Sequence, residues 1–397
     1  MESKMKKILL AVVVIVVMAQ ALTAETWLKT RAMTNNWQCI ASSADGKKLV
    51  AGTLSGFIYV SRDSGLTWAQ TSAPNQYWNA VASSADGTKL LADGGFGGVF
   101  TSTNSGVTWV SNGLPATNEW WGSVAASADG KTLAATVLGE SDFQNAAVFL
   151  STNSGATWTS NYMSNAIGVA MSADGTKIFV VAPMNFWRST NSGTTWMQVT
   201  NAPTVWDYVS PSEYIASSAD GNKLVMCVPN YTFAAGYIYT STNSGDTWNT
   251  TSAPSNNWNF VASSADGKIL LAIANFEQVD RIYVSTNGGS TWTTNNSSFL
   301  EWSAVASSAD GGNLFAAAAN GSIYAASSVQ RPMVNIAPTN GQLMLSWFVP
   351  SSGFTLQHSP DFHNWVNVTN KPTPNNLEEQ VILSGTNNIG FYRLKTP

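Results

Sequence analysis

Histidine is nearly missing from this sequence. The two that occur, His358 and His363, both stand near the C-terminal end, so the first 330 residues cannot assemble a Ser-His-Asp triad or a histidine-built metal centre. His358, Asp361 and His363 share a proline-containing, turn-like stretch, and no metal site is expected there. Cysteine is equally scarce. Cys39 and Cys227 fall in sequence units that are not neighbours, so no disulfide is expected and both read as small buried residues. Charge is sparse too: 19 Lys or Arg and 23 Asp or Glu among 397 residues leave a net charge of −4. With no basic patch to neutralise phosphates, nucleic acid is a poor partner. No cofactor motif occurs.

Long hydrophobic runs are also lacking, with one exception at the start. Lys4, Lys6 and Lys7 precede an apolar run over residues 8–18, followed by small residues that offer cleavage after Ala21 or Ala24. This reads as a secretory signal peptide over residues 1–24, too short for a membrane span. A secreted or periplasmic protein is expected, and a monomer.

What the chain has in abundance is repetition. The octet SRDSGLTW from Ser61 returns as STNSGVTW from Ser102, STNSGATW from Ser151, STNSGTTW from Ser189, STNSGDTW from Ser241 and STNGGSTW from Ser285. A second phrase, S-A-D-G, alternates with it and places aspartates at Asp45, Asp86, Asp129, Asp174, Asp220, Asp266 and Asp310. Their spacings of 41, 43, 45, 46, 46 and 44 residues fit a four-stranded propeller blade and are too long for a helical hairpin. Seven copies predict seven blades. In the first unit the spacing predicts strands over residues 37–43, 48–52, 57–61 and 67–70, with S-A-D-G turning the first strand into the second and the octet turning the third into the fourth. The octet Asp or Asn can accept bonds from nearby backbone N–H groups, and its glycine can take a left-handed conformation.

These octets resemble Asp-boxes, the hairpin signature of sialidase-type and related bacterial β-propellers, over residues 25 to about 330. Five copies carry Asn (Asn104, Asn153, Asn191, Asn243, Asn287) and only Asp63 is acidic, but Asn can make the same turn bonds. The resemblance implies an all-β fold, a seven-bladed propeller over residues 25–330. The seventh unit has no octet. The mature N-terminus runs Thr26-Trp27-Leu28-Lys29 and reaches Asp45 18 residues after Trp27, the same spacing as from Trp68 to Asp86, so an N-terminal strand is expected to complete the last blade. Residues 331–397 change character and read as a small β-sandwich-like module, similar by its GFTLQHS and FYRL phrases to modules appended to secreted bacterial proteins.

Ligand sites of propellers sit on the face opposite the two turns, so function is expected where those loops depart from the repeat. The S-A-D-G aspartate reaches the octet Trp after 23, 23, 29, 22, 28 and 26 residues, which predicts inserted loops in blades 3, 5 and 6; the loop leading into blade 5 is also long. Blade 4 is then a low sector between raised neighbours. Blade 3 contributes Glu119, Trp120, Trp121, Glu140, Asp142 and Phe143, blade 5 contributes Trp206, Asp207, Tyr208, Glu213, Tyr214, Tyr231 and Phe233, and blade 4 offers Phe186, Trp187 and Arg188. Aromatic faces beside carboxylates suit sugar rings. Trp121 also belongs to a recurrent column with Trp37, Trp78, Trp258 and Trp302, which favours packing, whereas Trp187, Trp206 and Tyr231 depart from the repeat.

Sialidase chemistry requires an arginine cluster, and Arg31, Arg62, Arg188 and Arg281 are too few and too scattered to build one. Two readings remain. The first is an exported, non-catalytic propeller that binds a glycan or an extracellular protein with Trp120, Trp121, Phe186, Trp187, Arg188, Trp206, Asp207, Tyr208 and Tyr231. The second is a glycoside hydrolase whose carboxylate pair comes from Glu140 or Asp142 facing Asp207 or Glu213. Similar Asp-box propellers include xyloglucan-cleaving enzymes and the photosystem II assembly factor group, and the single-propeller architecture here favours the binding scaffold.

Overall fold

The computed structural model describes residues 27–114, 120–138, 147–163, 166–203, 214–228, 236–276, 279–294, 300–328, 335–339, 342–348, 355–360, 364–375, 378–383 and 391–395. The proposed signal peptide lies outside them. The fold is all-β, with seven four-stranded antiparallel sheets forming a β-propeller. Blade 1 contains Trp37–Ser42, Leu49–Thr53, Ile58–Ser61 and Ala69–Gln70. Alternation along its second strand explains the stacking: Leu49 and Ala51 enter the core shared with blade 7, while Val50 enters the core shared with blade 2.

In blade 7 the strand Leu28–Lys29 pairs antiparallel with Ile323–Ser327, joining the two ends of the propeller chain in one sheet. Trp27 packs on Trp302 with ring centroids 6.1 Å apart, as Trp68 packs on Trp37 at 5.9 Å.

The octet turns are built alike. Ser61 Oγ donates to Asp63 Oδ1, the Gly65 N–H donates to Ser61 Oγ, and the Thr67 N–H donates to Asp63 Oδ1. In the Asn copies the amide replaces the second carboxylate oxygen and donates to threonine, as Asn104 Nδ2 does to Thr108 Oγ1 at 2.8 Å. The serine before the glycine is left-handed as well as the glycine: Ser64 has φ +57° and Gly65 +90°.

A second ring runs through the S-A-D-G turns. Each alanine N–H donates to the carbonyl of the next blade's alanine: Ala44 to Ala85, Ala85 to Ala128, Ala128 to Ala173, Ala173 to Ala219, Ala219 to Ala265, Ala265 to Ala309 and Ala309 back to Ala44, all at 2.7–2.9 Å. The glycines of this phrase are required for a steric reason too. A Cβ on Gly87 would lie 2.7 Å from Lys48, and one on Gly46 2.6 Å from Asn313, because each turn rests on a side chain of the preceding blade. Lys48, Lys89, Lys177 and Lys223 use that position to donate from Nζ to the carbonyl of the next blade's aspartate.

Residues 335–395 form, among those described, a four-stranded and a three-stranded sheet around Leu345, Leu356 and Val381. The His358 and Tyr392 rings meet at a tilt, with centroids 5.0 Å apart.

Candidate functional site

The backbone N–H groups of Ser64, Ser105, Ser154, Ser192, Ser244 and Gly288 bond to carbonyls of the S-A-D-G hairpins in their own blades, so both turn types share one face. The opposite face carries the connections between second and third strands. In blade 4 that connection is the two residues between Ile178–Ala182 and Asn185–Ser189, whereas eight residues separate the corresponding strands in blade 3 and eight in blade 5. Blade 6 differs from expectation. Its additional residues lengthen the strands Leu270–Phe276 and Val279–Ser285, leaving only two residues between them, because continued pairing satisfies backbone groups that a loop would leave to solvent.

Glu119, Glu140, Asp142, Phe143, Trp206, Asp207, Tyr208, Glu213, Tyr231 and Phe233 lie outside the described residues. The remaining site candidates are spread through the blades, and most have packing roles. Trp121 is fully buried with Phe149 against it at 5.3 Å, the counterpart of Trp37 with Tyr59 and Trp258 with Tyr283. Phe186 is also buried. It stands three residues before the octet serine, where the other blades have Ile58, Val99, Val148, Ile238, Ile282 and Ile323, and it packs between Phe179 and Trp248. Trp187 occupies a recurrent position after all: Tyr59, Phe100, Phe149, Tyr239 and Tyr283 stand at the same distance before their octets, and Tyr324 takes the equivalent place in blade 7. It is half-buried against the core between blades 3 and 4. There the Trp column offers only Ala166, so a larger ring at 187 fits the larger space.

Arg188 turns toward the octet face. Its Nη1 donates to the Ser244 carbonyl at 2.9 Å and pairs with Asp246 at 2.8 Å, tying blade 4 to the octet of blade 5. It therefore does not line a groove on the opposite face. Trp120 does lie on that face. It is half-buried at the start of the first strand of blade 3, and Phe96 meets its ring edge-on at 4.6 Å.

Two carboxyl groups on this face were not anticipated. Asp93, at the end of the strand Leu90–Asp93, is completely buried, and burial pushes its carboxyl well above the ordinary range, against a single bond from the Gly95 N–H. Burial also pushes Asp280 up to about 6, aided by the charge of Glu301 and opposed by a bond from the Trp302 N–H. Asp93 was detectable as an acid within an otherwise apolar strand. Asp280 was not, since its burial depends on the neighbouring blade.

Among the described residues no helix is long and apolar enough to cross a membrane. The family described as Sortilin-Vps10 (sortilin, neurotensin receptor 3) matches residues 184–336. No curated protein matches the chain by sequence. Several solved structures share the fold. A GH74 xyloglucanase from Xanthomonas campestris is similar with a TM-score of 0.59 and 15% identity, over 82% of this chain and 59% of that one. This chain thus spans less than two thirds of the enzyme's length. YCF48 bound to a D1 peptide is similar at a TM-score of 0.56 and 14% identity, over 79% of this chain and 99% of that one. The hydrazine synthase of Kuenenia stuttgartiensis is similar at a TM-score of 0.56 and 15% identity, over 77% and 99%. At these identities the likeness establishes the propeller and nothing more about activity.

Proposed function

We propose that this propeller is an exported, non-catalytic binding module that takes a glycan on its loop face, in the low sector over blade 4. The observation that carries the reading is the two-residue connection of blade 4 between the eight-residue connections of blades 3 and 5. Trp206, Asp207, Tyr208 and Tyr231 belong to the segments that enter and cross blade 5 in the sequence, and Trp120 begins the first strand of blade 3. In this reading they supply stacking faces and hydrogen-bond acceptors, while Trp121, Phe186, Trp187 and Arg188 hold the blades beneath them. A glycan array probed with the mature protein tests it. Binding that weakens in Trp206→Ala and Tyr231→Ala supports the reading; capture of an extracellular protein in place of a sugar replaces the ligand class. Turnover of a bound polysaccharide, abolished in Glu140→Gln or Asp207→Asn, replaces the binding module with a hydrolase.

A further inference from the structure

Asp93 is the one completely buried carboxyl group among the described residues. Its Oδ1 accepts the Gly95 N–H at 2.7 Å, but Oδ2 has no hydrogen-bond partner. Blade packing does not call for an acid here. At the same point of the second strand the other blades carry Gly52, Thr136, Val181, Cys227, Ile273 and Ala317, and the only hydroxyl among them, that of Thr136, accepts the Ser123 N–H at 3.0 Å. A buried acceptor without a donor is rare in folded proteins and requires a reason.

The segment that follows is Gly94-Gly95-Phe96-Gly97-Gly98. Gly95 and Gly98 have φ of +56° and +89°, and the Phe96 side chain between them is about half exposed while its ring rests on Trp120. Tyr77 is exposed beside it, with its Cβ near Gly95, and the Gln76 amide lies against Gly94 and Gly97. Asn79 joins the two blades: its N–H donates to the Asp93 carbonyl and its Nδ2 donates to the Trp121 carbonyl. An aromatic residue carried by four glycines thus follows an unsatisfied carboxyl in the chain and rests against a second aromatic. Indole N–H groups without partners recur at Trp68, Trp109 and Trp121, so that of Trp120 adds little; Asp93 carries the argument.

We propose that Phe96 is the movable cover of a sugar-binding subsite on blades 2 and 3, where Asp93 Oδ2 shares a hydrogen bond with a ligand hydroxyl and the sugar ring stacks on Trp120 in place of Phe96. The proposal rests on the loop face being a glycan-binding surface and extends that surface to blade 2. The chemistry favours an uncharged, polyhydroxylated ligand. Burial favours the uncharged form of Asp93, the adjoining polar side chains Gln76 and Asn79 are amides, and Trp120 and Tyr77 offer ring faces for C–H stacking. Gly95 and Gly98 give the turn its positive φ, and the bonds from the Gly97 N–H to the Gly94 carbonyl and from the Gly94 N–H to the Gly98 carbonyl are the links that a swing of the cover would break.

The test is calorimetric titration of the full mature chain with cellohexaose, mannohexaose, xylohexaose and chitohexaose. At least one is expected to bind, with Asp93→Ala losing tenfold or more in affinity and Trp120→Ala losing binding. Phe96→Ala should retain or improve affinity and associate faster, since the cover no longer has to move. In protein carrying 5-fluorotryptophan, the resonance assigned by Trp120→Phe should shift with that sugar and also in Phe96→Ala, a readout that a purely structural Asp93 would not move. If a sugar binds and Trp206→Ala weakens it while Asp93→Ala leaves it unchanged, the glycan reading stands and this subsite is wrong. If none of the four binds, both are wrong. If tetramethylammonium binds instead and requires Asp93, the ligand class is overturned.

Discussion

The N–H of Ala309 donates to the carbonyl of Ala44 across 2.9 Å, linking the seventh blade to the first without any help from the N-terminal strand. Ring closure therefore rests on two devices at different radii: this bond and its six counterparts on the S-A-D-G face, and the strand Leu28–Lys29 paired to blade 7. Each backbone bond contributes about 1 kcal/mol net.

Gly46→Ala should destabilise the propeller by two separable effects. A residue other than glycine at φ +71° costs about 1–3 kcal/mol, and the new Cβ would stand 2.6 Å from Asn313 Nδ2. Adding Asn313→Ala should recover only the steric part. Thermal melts of the single and double variants check this; complete recovery would mean that the left-handed backbone is not strained.

Asp93→Asn should stabilise the protein at pH 8 and change little at pH 4. The folded carboxyl is raised above the unfolded value of 3.8, so Asp93 weakens the fold progressively as pH rises from there toward the folded value. Each unit of pH within that window corresponds to about 1.4 kcal/mol. Denaturant melts across pH 4–8 measure it, and equal slopes for the parent and variant would contradict a buried neutral carboxyl.

Acid should act in the opposite sense on the S-A-D-G face. The hydroxyls of Ser84, Ser172 and Ser218, then the backbone N–H groups of Thr88, Thr176 and Asn222, hold the carboxyls of Asp86, Asp174 and Asp220 below their ordinary range. Their stabilisation is present above the unfolded value and lost as pH falls through the folded ones. Combined Asp86→Asn and Asp174→Asn is expected to flatten the melting temperature between pH 4 and pH 2, at the expense of stability at pH 7.

Much of this fold was legible because turns and columns leave side-chain signatures. Asp45 with Gly46, and Asp63 with Gly65, identify two hairpins, and Trp37, Trp78, Trp121, Trp258 and Trp302 mark one packing column. The second aromatic column, from Tyr59 through Trp187 to Tyr324, is equally readable two residues before each octet, and it makes Trp187 an ordinary member of the repeat. The alanine ring had no such signature, since backbone bonds are indifferent to side chains. Arg188 is a different case. The sequence places it beside Trp187 on one strand, but alternation turns it toward Asp246 of the next blade.

Trp187→Ala should accordingly lower stability more than affinity. Burying less of its ring than Trp258, it should cost less than the roughly 3–5 kcal/mol expected for Trp258→Ala. Glycan binding by folded Trp187→Ala should remain close to that of the parent. A large loss of affinity with an unchanged melting temperature would return Trp187 to the ligand surface.

Removing residues 25–30 should expose how the two closures share the load. The deletion takes away Trp27 from its contact with Trp302, strips Leu28 and Lys29 from Ala325 and Tyr324, and leaves the strand Ile323–Ser327 as an open edge. The Ala309 to Ala44 bond survives it, so the shortened protein should still fold as a ring, with a lower melting temperature and a greater tendency to self-associate through the new edge. Ala309→Pro makes the complementary cut by removing the N–H that serves the Ala44 carbonyl while keeping the N-terminal strand. Each change alone should leave a cooperatively melting propeller, and the two together should fail to express in soluble form. Truncation at residue 331 serves as the control, because it removes the C-terminal sheets and neither closure. Additive, independent losses in the double variant, measured by melting and sedimentation, would show that the two devices do not substitute for each other.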